Sequence, residues 1–142
     1  MSNYEHTEDD NCIKSVPIFN DLTHDEMIEV AMITHPQDMK RGEMVYMAGD
    51  LGGKLYVLHE GRVKISRINA SGKEQVIRTL GPGEFMGELS LFGATPQSDN
   101  AEVMEHTVMC VIDGSELKEI MMRYPQIGLK VMDVLSRRLQ MA

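Results

Sequence analysis

The chain has 142 residues, is 42% hydrophobic and 25% charged, and carries a formal net charge of −8 at pH 7. This is enough for one domain with a real core and an ordinary globular surface, and the acidic balance argues against binding a phosphate backbone. No apolar run approaches the ~20 residues of a membrane span, and the acidic start MSNYEHTEDDN has neither the basic region nor the apolar stretch of a signal peptide, so a cytoplasmic, non-membrane protein is expected.

Residues 1–15 are mostly polar and are expected to form a flexible arm. Val16-Pro17-Ile18-Phe19 is a short apolar lead-in, and Thr23 with Glu26 forms a capping box that predicts a helix to about Thr34, ended by Pro36. From Asp38 to Ile112, short runs of Val, Ile, Leu and Tyr alternate with glycines, the punctuation of an antiparallel β-sandwich or barrel. Within it, residues 54–59 read as a buried strand. Residues 62–68 alternate, with Val63 and Ile65 on one face; Ser71-Gly72 turns the chain into a partner strand over residues 74–80, and residues 101–112 form the last long β segment. Asp113 with Glu116 opens a helix to Arg123 or Tyr124. Pro125 starts another, with Ile127, Val131, Leu135 and Leu139 at helical spacing and Val134 beside them. The sequence stops at Ala142 inside that pattern with no cap, and a fragment of a longer protein is expected.

Two motifs carry chemistry. The first, Gly49-Asp50-Leu51-Gly52-Gly53-Lys54-Leu55-Tyr56-Val57-Leu58-His59-Glu60-Gly61, combines glycines suited to tight corners with apolar residues that fill an interior. The second, Gly87-Glu88-Leu89, opens the stretch GELSLFGATPQSDNAEV. Together, and in the order helix, β domain, two helices, they resemble the cyclic-nucleotide-binding domain of the Crp/Fnr transcription regulators over residues 16–142. The resemblance implies an antiparallel β-roll, a double-stranded jelly-roll flanked by helices. It divides the chain into an arm at 1–15, a sensor domain at 16–124 and the start of a dimerisation helix at 125–142. The family's C-terminal helix-turn-helix is expected to lie outside these 142 residues. The implied partners are a second copy of the chain through Ile127, Val131, Val134, Leu135 and Leu139, DNA through that domain, and RNA polymerase.

In members of that family that bind cyclic nucleotide, the counterpart of Glu88 bonds the ribose, and an Arg-Ser or Arg-Thr pair neutralises the phosphate. Here Asp99 and Asn100 occupy the pair's positions, ahead of Ala101, and no Arg or Lys lies between Arg78 and Lys118. Exchanging an arginine–phosphate fork for a carboxylate facing an anion costs on the order of 3–5 kcal/mol. The expectation is a pocket at Gly87, Glu88, Leu89, Asp99 and Asn100 that is vestigial or altered and does not take cyclic AMP in the usual way.

The two cysteines, Cys12 and Cys110, resemble in position the cluster cysteines of the Fnr branch. Two thiolates are too few for a [4Fe–4S] cluster, and no cofactor or metal is expected. Two readings stay open. The pair forms a redox-switched disulfide closing a loop of about 98 residues, worth ~4–5 kcal/mol in the chain-entropy model; or both are reduced thiols, with Cys110 filling the core. Three functions follow: a redox-sensing regulator domain, a sensor of a small molecule in the Gly87-Glu88 pocket with incidental cysteines, and a cupin-like enzyme. The five histidines form neither H-x-H nor H-E-x-x-H, so the chain is read as not an enzyme.

Overall fold

A computed structural model describes residue 19, residues 21–91, residue 93 and residues 95–141. Helix α1 (His24–Met32) is followed by eight strands: β1 (Thr34–Met39), β2 (Met44–Tyr46), β3 (Lys54–Glu60), β4 (Val63–Ile68), β5 (Glu74–Leu80), β6 (Phe85–Met86), β7 (Asn100–Val103) and β8 (Thr107–Asp113). Helices α2 (Gly114–Arg123) and α3 (Pro125–Met141) close the chain. The strands form two four-stranded antiparallel sheets, ordered β1-β8-β3-β6 and β2-β7-β4-β5. The mainly β roll with flanking helices is therefore the fold of this chain.

The capping box forms as expected: the Thr23 hydroxyl accepts from the Glu26 N–H, and the Glu26 carboxylate accepts from the Thr23 N–H. The helix ends earlier than its polar-apolar pattern indicates. Thr34 begins β1, and Pro36 lies inside that strand opposite Cys110. Proline is tolerated there because β1 is an edge strand, so its missing N–H leaves no ladder partner unsatisfied. A second correction concerns residues 101–112. They are two strands, not one. The chain turns at residues 104–106, and β7 joins one sheet while β8 joins the other.

Strand β8 explains the near-continuous apolar runs. It lies between β1 and β3 and is covered on both faces. Cys110 and Ile112, with Leu55 and Val57 of β3, pack against Phe19, α1 and the two terminal helices. Met109 and Val111, with Leu58, face the roll interior with Val63, Ile65, Leu80, Ala101 and Val103. The period-2 alternation of strands thus divides one sheet between two cores.

The terminal helix requires a correction. Ile127 and Val131 are 0% and 1% exposed because they pack into the helix-side core of their own chain, with Val134 and Leu135 partly buried against it. Ile127 and Val131 find their cover within the chain, while Val134 and Leu135 are covered there only in part. Among the described residues, the large apolar side chains that α3 leaves exposed are Leu129 and Met132. The Leu139 side chain lies outside the described residues. Lys130 fastens α3 to α1: its Nζ lies 2.8 Å from a Glu26 carboxylate oxygen and donates to the Asp21 carbonyl, also at 2.8 Å. This contact, first among several, holds the Glu26 carboxyl below its usual pKa.

Candidate functional site

The roll cavity is built on a tight crossing of backbones. Gly87 has φ +89°, and a Cβ there would lie 2.5 Å from the Lys54 carbonyl oxygen, so both conformation and space require glycine. It leads into a single 3-10 turn, Glu88–Ser90. Gly52 is needed for a different reason, since its Cβ would fall 2.3 Å from the Ser90 Oγ. The glycine-bearing segment before β3 also clamps the cassette loop. Gly49 N–H donates to the Gln97 carbonyl at 2.8 Å, Gln97 N–H to Asp50 at 2.7 Å, and Gly52 N–H to Thr95 at 3.1 Å. The two motifs of the sequence are therefore one structure, hydrogen-bonded face to face.

Between the turn and the clamped loop lies a cavity of about 210 Å³. Its walls are Gly87, Glu88 and Ser90, residues 95–99, Tyr46 from β2 and Arg78 from β5. Arg78 Nη2 stands 3.8 Å from Glu88 Oε1. Arg67, from β4, donates to Asp99 in a short charge-assisted contact. Burial first, then the charges of Glu88 and Asp99, raise the Tyr46 hydroxyl pKa, so it stays protonated across the physiological range.

Of the pocket residues read from sequence, Gly87, Glu88 and Asp99 line the cavity. Asn100 does not. Its side-chain oxygen accepts from the Ala48 N–H at 2.8 Å and holds the turn after β2. The Leu89 side chain lies outside the described residues. Sequence reasoning missed both arginines. No cation stands inside the cassette, but two arrive from neighbouring strands that the chain reaches earlier. Their signal was present in the alternating patterns of β4 and β5, without anything local to tie Arg67 to Asp99, 32 positions away.

Cys110 is 2% exposed in the helix-side core, facing away from the cavity. No cysteine is a free thiol among the described residues. Cys12 lies outside them. Among the described residues no three His, Cys, Asp or Glu side chains are placed to hold a metal ion, and no helix is long and apolar enough to cross a membrane.

Comparison with known proteins agrees with this geometry. The cyclic nucleotide-binding domain family matches residues 36–124. The chain is 28% identical over 131 residues to the CRP-like cAMP-activated global transcriptional regulator of Mycobacterium tuberculosis, covering 92% of this chain and 58% of that protein. It superposes on the N-terminal domain of a transcriptional regulator from Streptomyces coelicolor A3(2) with a TM-score of 0.80 and 26% identity, covering 91% of this chain and 90% of that one. Against the Thermus thermophilus catabolite activator protein the TM-score is 0.78 at 28% identity, covering 87% and 58%. The chain thus spans under two thirds of the length of full-length relatives it matches. It belongs to the cyclic nucleotide-binding domain family, and its homologues include Crp-type transcriptional regulators.

Proposed function

We propose that the chain is the sensory domain of a Crp/Fnr-like transcription regulator that does not answer to cyclic AMP in the usual way. The observation that carries this reading is the charge pairing of the cassette. Asp99 stands where the resemblance expects an arginine, and it is held by Arg67, while Arg78 stands beside Glu88. A cyclic phosphate entering beside Asp99 meets a carboxylate and no cassette arginine. A ligand that binds only the native state raises the unfolding temperature. Millimolar cyclic AMP is therefore expected to leave the thermal midpoint unchanged. A rise of several degrees that grows with concentration would overturn the reading.

The signal we assign to Cys12 and Cys110 as a thiol–disulfide pair. Support comes from where Cys110 sits. It shares a core with Leu117, Ile120, Ile127 and Val131, the residues that seat both terminal helices, and it is not a free thiol. The only other cysteine in the chain is Cys12. A bond between them would pin the N-terminal arm against that core and bias the helices leading out of the domain. Peptide mapping without reductant is expected to recover one Cys12–Cys110 cross-linked peptide after mild oxidation. Two free thiols would defeat the assignment.

In the full regulator this reading gives a cytoplasmic homodimer that reaches DNA through a helix-turn-helix outside these 142 residues, with RNA polymerase as a further partner. It assigns no catalytic residue. A second reading, a small molecule in the Gly87-Glu88 pocket, is favoured by the cavity itself and is developed below.

A further inference from the structure

The cavity beside Glu88 has an unusual charge account. Two carboxylates face it, Glu88 and Asp99, and each stands against a guanidinium supplied by another strand, Arg78 and Arg67. These four charges sum to zero before any ligand arrives. An anionic group would have to displace a carboxylate from its arginine or lie beside it uncompensated. A cationic group would meet the arginines in the same way. An uncharged molecule disturbs neither pair, and its hydroxyls can donate to either carboxylate.

An independent observation indicates that the cavity is built to be filled. Ser90 is 2% exposed, lines the cavity, and its buried Oγ has no hydrogen-bond partner among the described residues. A buried hydroxyl left unsatisfied is rare and costly, and a ligand hydroxyl or ring nitrogen would satisfy it. Across from it, Tyr46 keeps its proton and offers a neutral donor. Size adds a limit. At about 210 Å³ the cavity is smaller than the ~300–1,000 Å³ typical of drug-sized ligands, which suits a sugar or a nucleoside.

We propose that this cavity takes an uncharged, hydroxyl-bearing molecule of sugar or nucleoside size and discriminates against its phosphorylated counterparts. The proposal rests on the reading that the cassette does not hold a cyclic phosphate, and adds to it a ligand class. Asp99 sets the specificity and Arg67 positions it. Ser90 contributes a hydrogen bond through its Oγ.

The test is calorimetry of the 142-residue chain with adenosine, guanosine and ribose, each beside cyclic AMP and cyclic GMP. At least one uncharged probe is expected to bind about tenfold or more tighter than either cyclic nucleotide. Binding of ribose alone as tightly as the nucleosides identifies a sugar site; a nucleoside preference identifies a base contact. Either supports the proposal. Ser90→Ala is expected to weaken the uncharged probe by about three- to tenfold, and Asp99→Arg to invert the preference toward the cyclic nucleotides. Should Asp99→Arg fail to fold by circular dichroism, Asp99→Asn is expected to narrow the ratio. Tighter binding of a cyclic nucleotide by the unmodified chain overturns both this proposal and the reading beneath it. No binding of any uncharged probe at millimolar concentration, with none of cyclic nucleotide either, overturns the proposal alone. So does uncharged binding that neither Ser90 nor Asp99 variants alter.

Discussion

The two sides of strand β8 are held together by different physics. On the helix side, Cys110 and Ile112 meet an apolar core of Phe19, Val30, Leu117, Ile120, Ile127 and Val131. On the roll side, Met109 and Val111 begin a core that opens into a cavity walled by Arg78, Glu88, Ser90 and Asp99. The first region is an apolar core that seats the terminal helices directly. The second has room and polar groups, and its charges are already paired. A signal that moves the helices acts most directly from the helix side; a signal that must be recognised by chemistry acts from the roll. One strand one residue wide connects them.

The contrast can be broken most severely from the helix side. Val131→Asp places a carboxylate in a site that is 1% exposed. The cost is well above ~4 kcal/mol, a large part of a domain's total of roughly 5–15. Denaturant unfolding is expected to find the variant largely unfolded, so it reports on the fold and not on dimerisation. Leu129→Asp, two residues away on the exposed face, should change stability by about 0.5 kcal/mol or less. It is the variant that probes self-association by sedimentation. Equal losses in both would mean that the helix is not seated as described.

On the roll side the largest effect belongs to the crossing at Gly87. Gly87→Ala must strain a left-handed backbone and push against the Lys54 carbonyl, with an expected loss of about 2–4 kcal/mol in chemical denaturation. Met109→Ala leaves a void in the roll core and is expected to cost about 2–5 kcal/mol. A loss below ~1 kcal/mol would show that the roll interior is loosely packed.

The Lys130–Glu26 contact allows a finer test. Glu26 is 6% exposed, and its carboxyl titrates below the ordinary value because Lys130 and the Thr23 N–H hold its charged form. A depressed carboxyl stabilises the fold fully above its unfolded pKa of ~4.3 and loses that contribution as pH falls through the lower folded value. Lys130→Ala should cost about 1–3 kcal/mol at pH 7, with a smaller gap between variant and parent by pH 3. A gap that stays constant with pH would contradict the pairing. The smallest effect expected is Thr23→Ala, about 1 kcal/mol from the lost N-cap, read from the thermal midpoint.

Much of this was legible in the sequence where the signal is local. Thr23 with Glu26 and Ser71-Gly72 announce their cap and turn within four residues of chain, and both form; Asp113 caps its helix by accepting from the Ser115 N–H, where the sequence suggested a box with Glu116. The glycine motif and Gly87-Glu88-Leu89 announced the roll and the cavity. The signals that failed are non-local. Pro36 reads as a helix stop, and only the sheet order makes it an edge-strand residue. Ile127 and Val131 read as a stripe awaiting a second copy, and only the fold supplies Phe19 and Leu117 to cover them. Arg67 and Arg78 were visible as residues, but their convergence on Asp99 and Glu88 depends on strands that pair far from the cassette. Charge balance in a site is a property of the assembled sheets.

The central claim, that the cassette's charges are satisfied from within and leave no place for a cyclic phosphate, is tested most directly by isothermal titration of cyclic AMP into the chain and into Glu88→Ala. The account predicts no saturable heat in the micromolar range for either protein. Micromolar binding by the parent chain that is lost in Glu88→Ala would contradict it.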